Sequence, residues 1–281
     1  MKISGFTIVK NAVQFNYPVR ESILSILPIC DEFVVNVGDS SDQTLELIKS
    51  IKSPKIKIFQ RKWDHSLGKE MLSIETNHAL AKCEGDWCFY LQSDEVVHQR
   101  DLKTIRKYMQ KYYKDKDVEG FKFRWLHFYG SYWRYRVDPP WYQKQVRIIR
   151  NQKNIKSEGD AWGFQKTDST DFKTVRIRPF VYHYGWVNNP QIMSRRRKNA
   201  SELGFAELGE NEKKLDYDYG NLNRFPIYFG THPKVMRERV NSHILSRLDW
   251  QKIKSKYFWS PFLWFRPRYK TFLRPKKSIP R

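Results

Sequence analysis

Gly85-Asp86-Trp87-Cys88-Phe89-Tyr90-Leu91-Gln92-Ser93-Asp94-Glu95 drives a β-favouring apolar run straight into two adjacent carboxylates. Such a run reads as a buried strand, and a strand end holds the oxygens that follow it rigidly. Mg²⁺ and Mn²⁺ are commonly bound by one or two carboxylates together with substrate phosphate oxygens, so Asp94 is a candidate metal ligand. Taken alone, the Asp94-Glu95 pair reads more simply as a solvated acidic loop.

Upstream, strand-like and helix-like pieces alternate. Phe6 to Val9, Glu32 to Val37 and Lys55 to Phe59 favour strands. Helices are expected from Pro18, after Asp42 and over Lys69 to Lys82, where proline suits a first turn and aspartate an N-cap. Ninety residues of this alternation predict an α/β unit with a largely parallel sheet. A helix from Asp101 follows, then strands at Phe121 to Tyr129, Val146 to Arg150 and Val175 to Tyr184, with aromatic-rich loops between them. Beyond Pro190 the chain reads as helical and basic. The expected organisation is one α/β domain over 1–189 and a helical, basic and aromatic region over 190–281.

Composition narrows the function classes. The 281 residues hold 40% hydrophobic and 16% aromatic side chains, enough for a sizeable core. No apolar run is long enough for a membrane span. Three cysteines, Cys30, Cys83 and Cys88, make neither a disulfide framework nor a zinc knuckle, and the N-terminus reads as neither signal nor transit peptide. A reduced, cytoplasmic protein is expected. The 52 Lys and Arg against 30 Asp and Glu give +22 and imply an anionic partner. Ten of the basic residues, and none of the acidic ones, follow residue 250. There Tyr257 to Phe265 is aromatic and flanked by lysines and arginines, which suggests docking of 251–281 on an anionic membrane surface at the inner face of the cytoplasmic membrane.

The motifs are similar to a known family. Phe6-Thr7-Ile8-Val9-Lys10-Asn11, Val34 to Thr44, Asn77-His78-Ala79-Leu80 and Gly85 to Glu95 follow one another as in family 2 glycosyltransferases, and the chain most resembles bacterial lipopolysaccharide-core and surface-polysaccharide sugar transferases. The resemblance implies the nucleotide-diphospho-sugar (GT-A) fold and a donor, most simply a UDP-sugar, contacted by Thr7, Val9, Asn11, Asp39, Asn77, Gln92 and Ser93. The usual paired aspartates after the second strand are replaced by Val37 and Gly38, with Asp39 next in line. In the Asp-x-Asp place stand Gln92-Ser93-Asp94, so Asp94 keeps the metal-facing carboxylate and Gln92 brings no charge. His183, at the end of the last strand, is the implied further ligand for Mg²⁺ or Mn²⁺. Asp160, in Ser157-Glu158-Gly159-Asp160-Ala161-Trp162-Gly163-Phe164, takes the place of the general base for an inverting transfer, with Glu158 as its alternative. The acceptor implied is a glycan or a lipid-linked sugar. Trp125, Trp133, Trp141 and Trp162 are candidates for stacking on sugar rings, or else core.

Two other classes compete. A single-stranded nucleic-acid-binding protein would suit the basic and aromatic content, but its positive charge should line a groove rather than gather in a tail. A nucleotidyltransferase should carry a Gly-rich phosphate loop after the first strand, where this chain has Lys10-Asn11-Ala12-Val13-Gln14.

Overall fold

A computed structural model describes residues 1–168, 170–205, 207–208 and 216–257. Four parallel strands, β1 (Ile3–Val9), β2 (Glu32–Gly38), β3 (Ile56–Arg61) and β4 (Trp87–Tyr90), lie in the order β3-β2-β1-β4. The connections between them carry α1 (Val19–Ile26), α2 (Thr44–Lys49) and α3 (Glu70–Leu80). Every residue of β1, β2 and β4 is buried, as expected for parallel strands covered on both faces. The period of two then sorts their side chains into separate cores. Phe33, Val35, Val37, Trp87 and Phe89 fall in one cluster, with Ile23 and Ile26 of α1 and Ile48 of α2. Phe6, Ile8, Val34, Cys88 and Tyr90 fall in the other, with Met71 and Leu80 of α3. β3 has only half-buried and exposed residues, which suits an edge.

Beyond β4 the sheet becomes mixed. β5 (Glu95–Val97), α4 (Leu102–Lys111), β6 (Gly120–Tyr129), β7 (Ser131–Arg136), β8 (Lys144–Arg150) and the long β11 (Thr174–Trp186) complete the order β3-β2-β1-β4-β8-β6-β11-β5, with β7 paired to β6. A separate two-stranded ribbon, β9 (Ile155–Ser157) and β10 (Phe164–Lys166), brackets residues 158–163. In α4, Leu102, Ile105 and Met109 are buried, at the helical spacing their sequence sets.

Among the described residues three α-helices follow. α5 (Pro190–Glu202) starts with proline at its first turn and Asn189 as N-cap, whose side chain accepts from the Ile192 N–H. α6 (Arg237–Ser242) and α7 (Ile244–Tyr257) lie last. α7 is fastened to β7 by Arg134, whose guanidinium contacts both Asp249 oxygens at 3.1–3.2 Å, both side chains being nearly inaccessible. Residues 258–281, with most of the basic aromatic tail, lie outside the described residues.

The expected strands and the helices α1 to α5 are present, whereas residues 216–236, expected as helical, are largely irregular. Four short strands, β5, β7, β9 and β10, lie where the sequence reads as loop.

Candidate active site

A cavity of about 240 Å³ opens at the carboxyl ends of β1, β3 and β4. In open α/β sheets this is where ligands bind. Its wall includes Val9, Lys10 and Asn11 after β1, Trp63 and His65 after β3, Gln92, Ser93 and Asp94 after β4, and Asp160 and Ala161 from the β9–β10 loop. α5 closes it with Arg196, Asn199, Ala200 and Leu203.

Asp94 lies in this wall, with His183 directly behind it. Asp94 Oδ2 lies 3.5 Å from His183 Nε2, because β11 pairs with β5 in the register that sets His183 opposite Glu95. Gly185 lets them approach: a Cβ there would stand 2.5 Å from Asp94 Oδ2 and 2.8 Å from His183 Nε2. Burial disfavours the Asp94 charge, but the imidazole of His183 and the guanidinium of Arg196 outweigh it and bring its pKa below the ordinary value. Burial likewise works against charge on His183, and Asp94 reverses this, raising its pKa.

The orientation of His183 is fixed from behind. His127 Nε2 lies 2.7 Å from the Tyr142 carbonyl, so that nitrogen carries the proton. Its Nδ1 is then the acceptor for His183 Nδ1–H at 3.2 Å, which leaves His183 Nε2 facing Asp94. Burial, helped by His183, pushes the His127 pKa down to about 3 and keeps it neutral.

This pair suits a divalent ion. One carboxylate and one imidazole nitrogen sit across a space kept clear by a glycine, a donor set that suits Mn²⁺ and, with further oxygens, Mg²⁺. Among the described residues no group of three or more His, Cys, Asp or Glu can hold a metal. The remaining ligands would have to come from substrate phosphate and water.

Arg196 is the buried member of the basic run Arg195-Arg196-Arg197-Lys198. It donates to the carbonyls of Phe15, Asn16 and Gly185 at 2.6–3.0 Å, and its guanidinium stacks 4.2 Å over Tyr17. Its positive charge is thereby held at the cavity wall, and α5 is tied to the segment after β1. Lys10 also reaches the cavity, with Nζ 2.8 Å from Asp39 Oδ1 and 2.7 Å from His65 Nε2.

Of the residues singled out in the sequence, Val9, Asn11, Gln92, Ser93, Asp94 and Asp160 line the cavity. His183 stands directly behind Asp94. Asp39 is one layer back, bound to Lys10 and to the Trp63 N–H. Thr7 is fully buried within β1, its hydroxyl 3.4 Å from the Ile8 carbonyl, and does not line the cavity. Asn77 does not line it either; its amide makes two 2.8 Å hydrogen bonds to the backbone of Ser157. Glu95 is fully buried and forms a two-pronged pair with Arg147 at 2.7 Å, so it is not a ligand. Glu158 is exposed and Asp160 only partly so. Gly38, where an aspartate would stand in the family pattern, lies under the Trp63 indole, and a Cβ there would come within 2.9 Å of the ring. Trp125 is core, Trp133 stacks on Trp250 at 4.4 Å, and Trp141 is half-buried; Trp162, beside Asp160, is 52% exposed.

A cavity at strand ends lined by Asp94, Asp160 and the enclosed Arg196, with His183 behind Asp94, has charges that suit an anionic ligand. Residues 11–170 match the description Glycosyl transferase family 2, and the chain belongs to that family and is a glycosyltransferase. Among solved structures it is similar to S. aureus TarS 1–349 in complex with UDP-GlcNAc, at 17% identity and TM-score 0.43, covering 76% of this chain and 69% of that one. It is also similar to glucosyl-3-phosphoglycerate synthase from Mycobacterium tuberculosis, in complex with Mn²⁺, UDP and phosphoglyceric acid, at 12% identity and TM-score 0.42, covering 74% and 80%. No curated protein sequence matches it.

Proposed function

We propose that the chain transfers a sugar with inversion from a UDP-sugar to a hydroxyl of a glycan or lipid-linked acceptor of the bacterial surface-polysaccharide or lipopolysaccharide kind. The observation that carries the reading is that one cavity wall holds Asp94, Asp160 and Arg196, although 102 positions separate the first of these residues from the last. The donor lies across the carboxyl ends of β1 and β4, with its diphosphate towards Asp94 and Arg196. Asp160 accepts the proton of the acceptor hydroxyl as its oxygen bonds to the anomeric carbon and the bond to the diphosphate breaks. Arg196 faces the charge that gathers on the departing phosphate. Asp94 and His183 are the residues that would hold Mg²⁺ or Mn²⁺, which would supply further neutralisation of the leaving group. Residues 1–189 then carry donor and base, while α5 from the 190–281 region covers the donor. The exposed Trp162 offers a flat face to the acceptor sugar.

Residues 251–281 support a peripheral membrane role at the inner face, where each basic residue near an anionic leaflet is worth ~1 kcal/mol. Among the described residues no helix is long and apolar enough to cross a membrane.

Calorimetry with UDP-, GDP- and CMP-sugars tests the donor. The expected result is binding of one UDP-sugar, and transfer from it abolished in Asp160→Asn with donor affinity kept. Absence of any donor binding to the folded protein would defeat the reading.

A further inference from the structure

The loop that bears Asp160 is held by side chains from three distant elements. At its start, Asn77 of α3 exchanges both amide hydrogen bonds with the backbone of Ser157. Further along, Gln92 Nε2 donates to the Ala161 carbonyl at 3.1 Å. One residue on, Arg147 Nη1 donates to the Trp162 carbonyl at 2.8 Å. The last two holds share an anchor. Glu95 binds the Arg147 guanidinium, and one of its oxygens also accepts the Gln92 backbone N–H at 3.1 Å.

The loop needs such holding. Gly159 and Ala161, on either side of Asp160, have φ of 58° and 59°. For glycine this is an ordinary conformation, but for alanine it is an unfavourable one that persists only where the surroundings impose it. Ala161 is the residue whose carbonyl Gln92 grips. An amide at position 92 supplies the donor that this carbonyl requires. An aspartate there would be shorter and would offer only acceptor oxygens to another acceptor.

We propose that Gln92 is the positioning residue for Asp160: its amide fixes the Ala161 carbonyl and so aims the neighbouring carboxylate at the acceptor, instead of binding the nucleotide. Gln92 does line the cavity, so the nucleotide-binding role is the direct competitor. The proposal explains within one contact why this chain carries an amide before Ser93 and Asp94. It rests on the reading of Asp160 as general base.

Three measurements on Gln92→Ala and Gln92→Glu decide it. Glutamate keeps the side-chain length and removes the N–H donor, so both variants lose the grip while only one loses bulk. Hydrogen–deuterium exchange of residues 158–163 in the full chain should accelerate at least tenfold in both. UDP affinity, by calorimetry on Gln92→Ala, should stay within twofold of wild type; Gln92→Glu adds a negative charge beside Asp94 and serves the exchange readout alone. Release of UDP by Gln92→Ala from the donor that binds in the panel above, with water as acceptor, should show kcat down about thirtyfold and KM within twofold. Unchanged loop exchange together with a tenfold loss of UDP affinity would overturn the proposal and return Gln92 to the nucleotide. The same assay on Asp160→Asn separates the two levels. If that variant keeps its turnover, the base assignment fails, and the exchange data still decide whether Gln92 holds the loop. If wild type binds no UDP, the donor reading fails, and again exchange alone judges the contact.

Discussion

Gly185 is the residue on which the close approach of Asp94 and His183 depends most plainly. Its φ lies outside the left-handed region, so the requirement is for space and not for backbone freedom. Gly185→Ala should lower Mn²⁺-dependent UDP affinity at least tenfold, because the new methyl would stand between Asp94 and His183; calorimetry with and without Mn²⁺ reads this directly. Asp39 offers a pH test. Burial opposes its charge, but hydrogen bonds from Lys10 and from the Trp63 N–H bring its pKa down to about 2, from an ordinary 3.8. A depressed carboxylate stabilises the fold above its unfolded pKa and loses that contribution as pH falls towards the folded one. The Lys10–Asp39 contribution is therefore complete above the ordinary value and vanishes on the way to about pH 2. Asp39 is 42% exposed, so the effect should be about 1 kcal/mol or less, seen as a flatter acid limb in urea melts of Asp39→Asn. Asp94, Asp160 and His183 could be named from the sequence because the order of its motifs resembles the family's, and the fold sets Asp94 and Asp160 on one cavity wall with His183 behind Asp94. The hydrogen bonds of Asn77 and Gln92 could not, since their partners lie 80 and 69 positions away and no local pattern records them.

At the scale of elements, the Glu95–Arg147 pair fastens β5 to β8. Both side chains are inaccessible to solvent, and Arg147 lies over the rings of Tyr90 and Trp125. Removing one partner strands the other charge in the interior, so Glu95→Ala should cost about 3–5 kcal/mol in denaturant unfolding. Asp249→Ala should release α7 from β7 by the same reasoning, read as faster hydrogen exchange in 244–257 with β1 to β4 unaffected. The strands β1, β2 and β4 were legible because they are short, mostly apolar, β-favouring runs, and α4 because its buried residues keep helical spacing. β5 and β7 were hidden by charge. Glu95 in β5 and Arg134 in β7 are buried only because Arg147 and Asp249 neutralise them, and a sequence does not announce such partners.

The whole molecule joins a parallel α/β half, which presents strand ends, to a mixed half that supplies His183, Asp160 and the closing helix α5. The first half could be read in order along the chain. The second could not, because β8, β6, β11 and β5 assemble out of sequence order and bring His127, His183 and Asp94 together only in the fold. The charge of +22 acts at this scale too. The full chain should float with phosphatidylserine vesicles and be released by high salt, whereas a chain ending at residue 257 should stay in solution; equal flotation of both would remove the membrane role from the tail.

The proposal that Asp94 and His183 bind a cation against a nucleotide diphosphate is tested most directly by titrating UDP into wild type, Asp94→Ala and His183→Ala, each with and without Mn²⁺. The expected result is UDP binding that Mn²⁺ strengthens at least tenfold in wild type and leaves unchanged in either variant. Binding that is equally tight with and without Mn²⁺ in wild type, or strengthened by Mn²⁺ as much in Asp94→Ala, would contradict it.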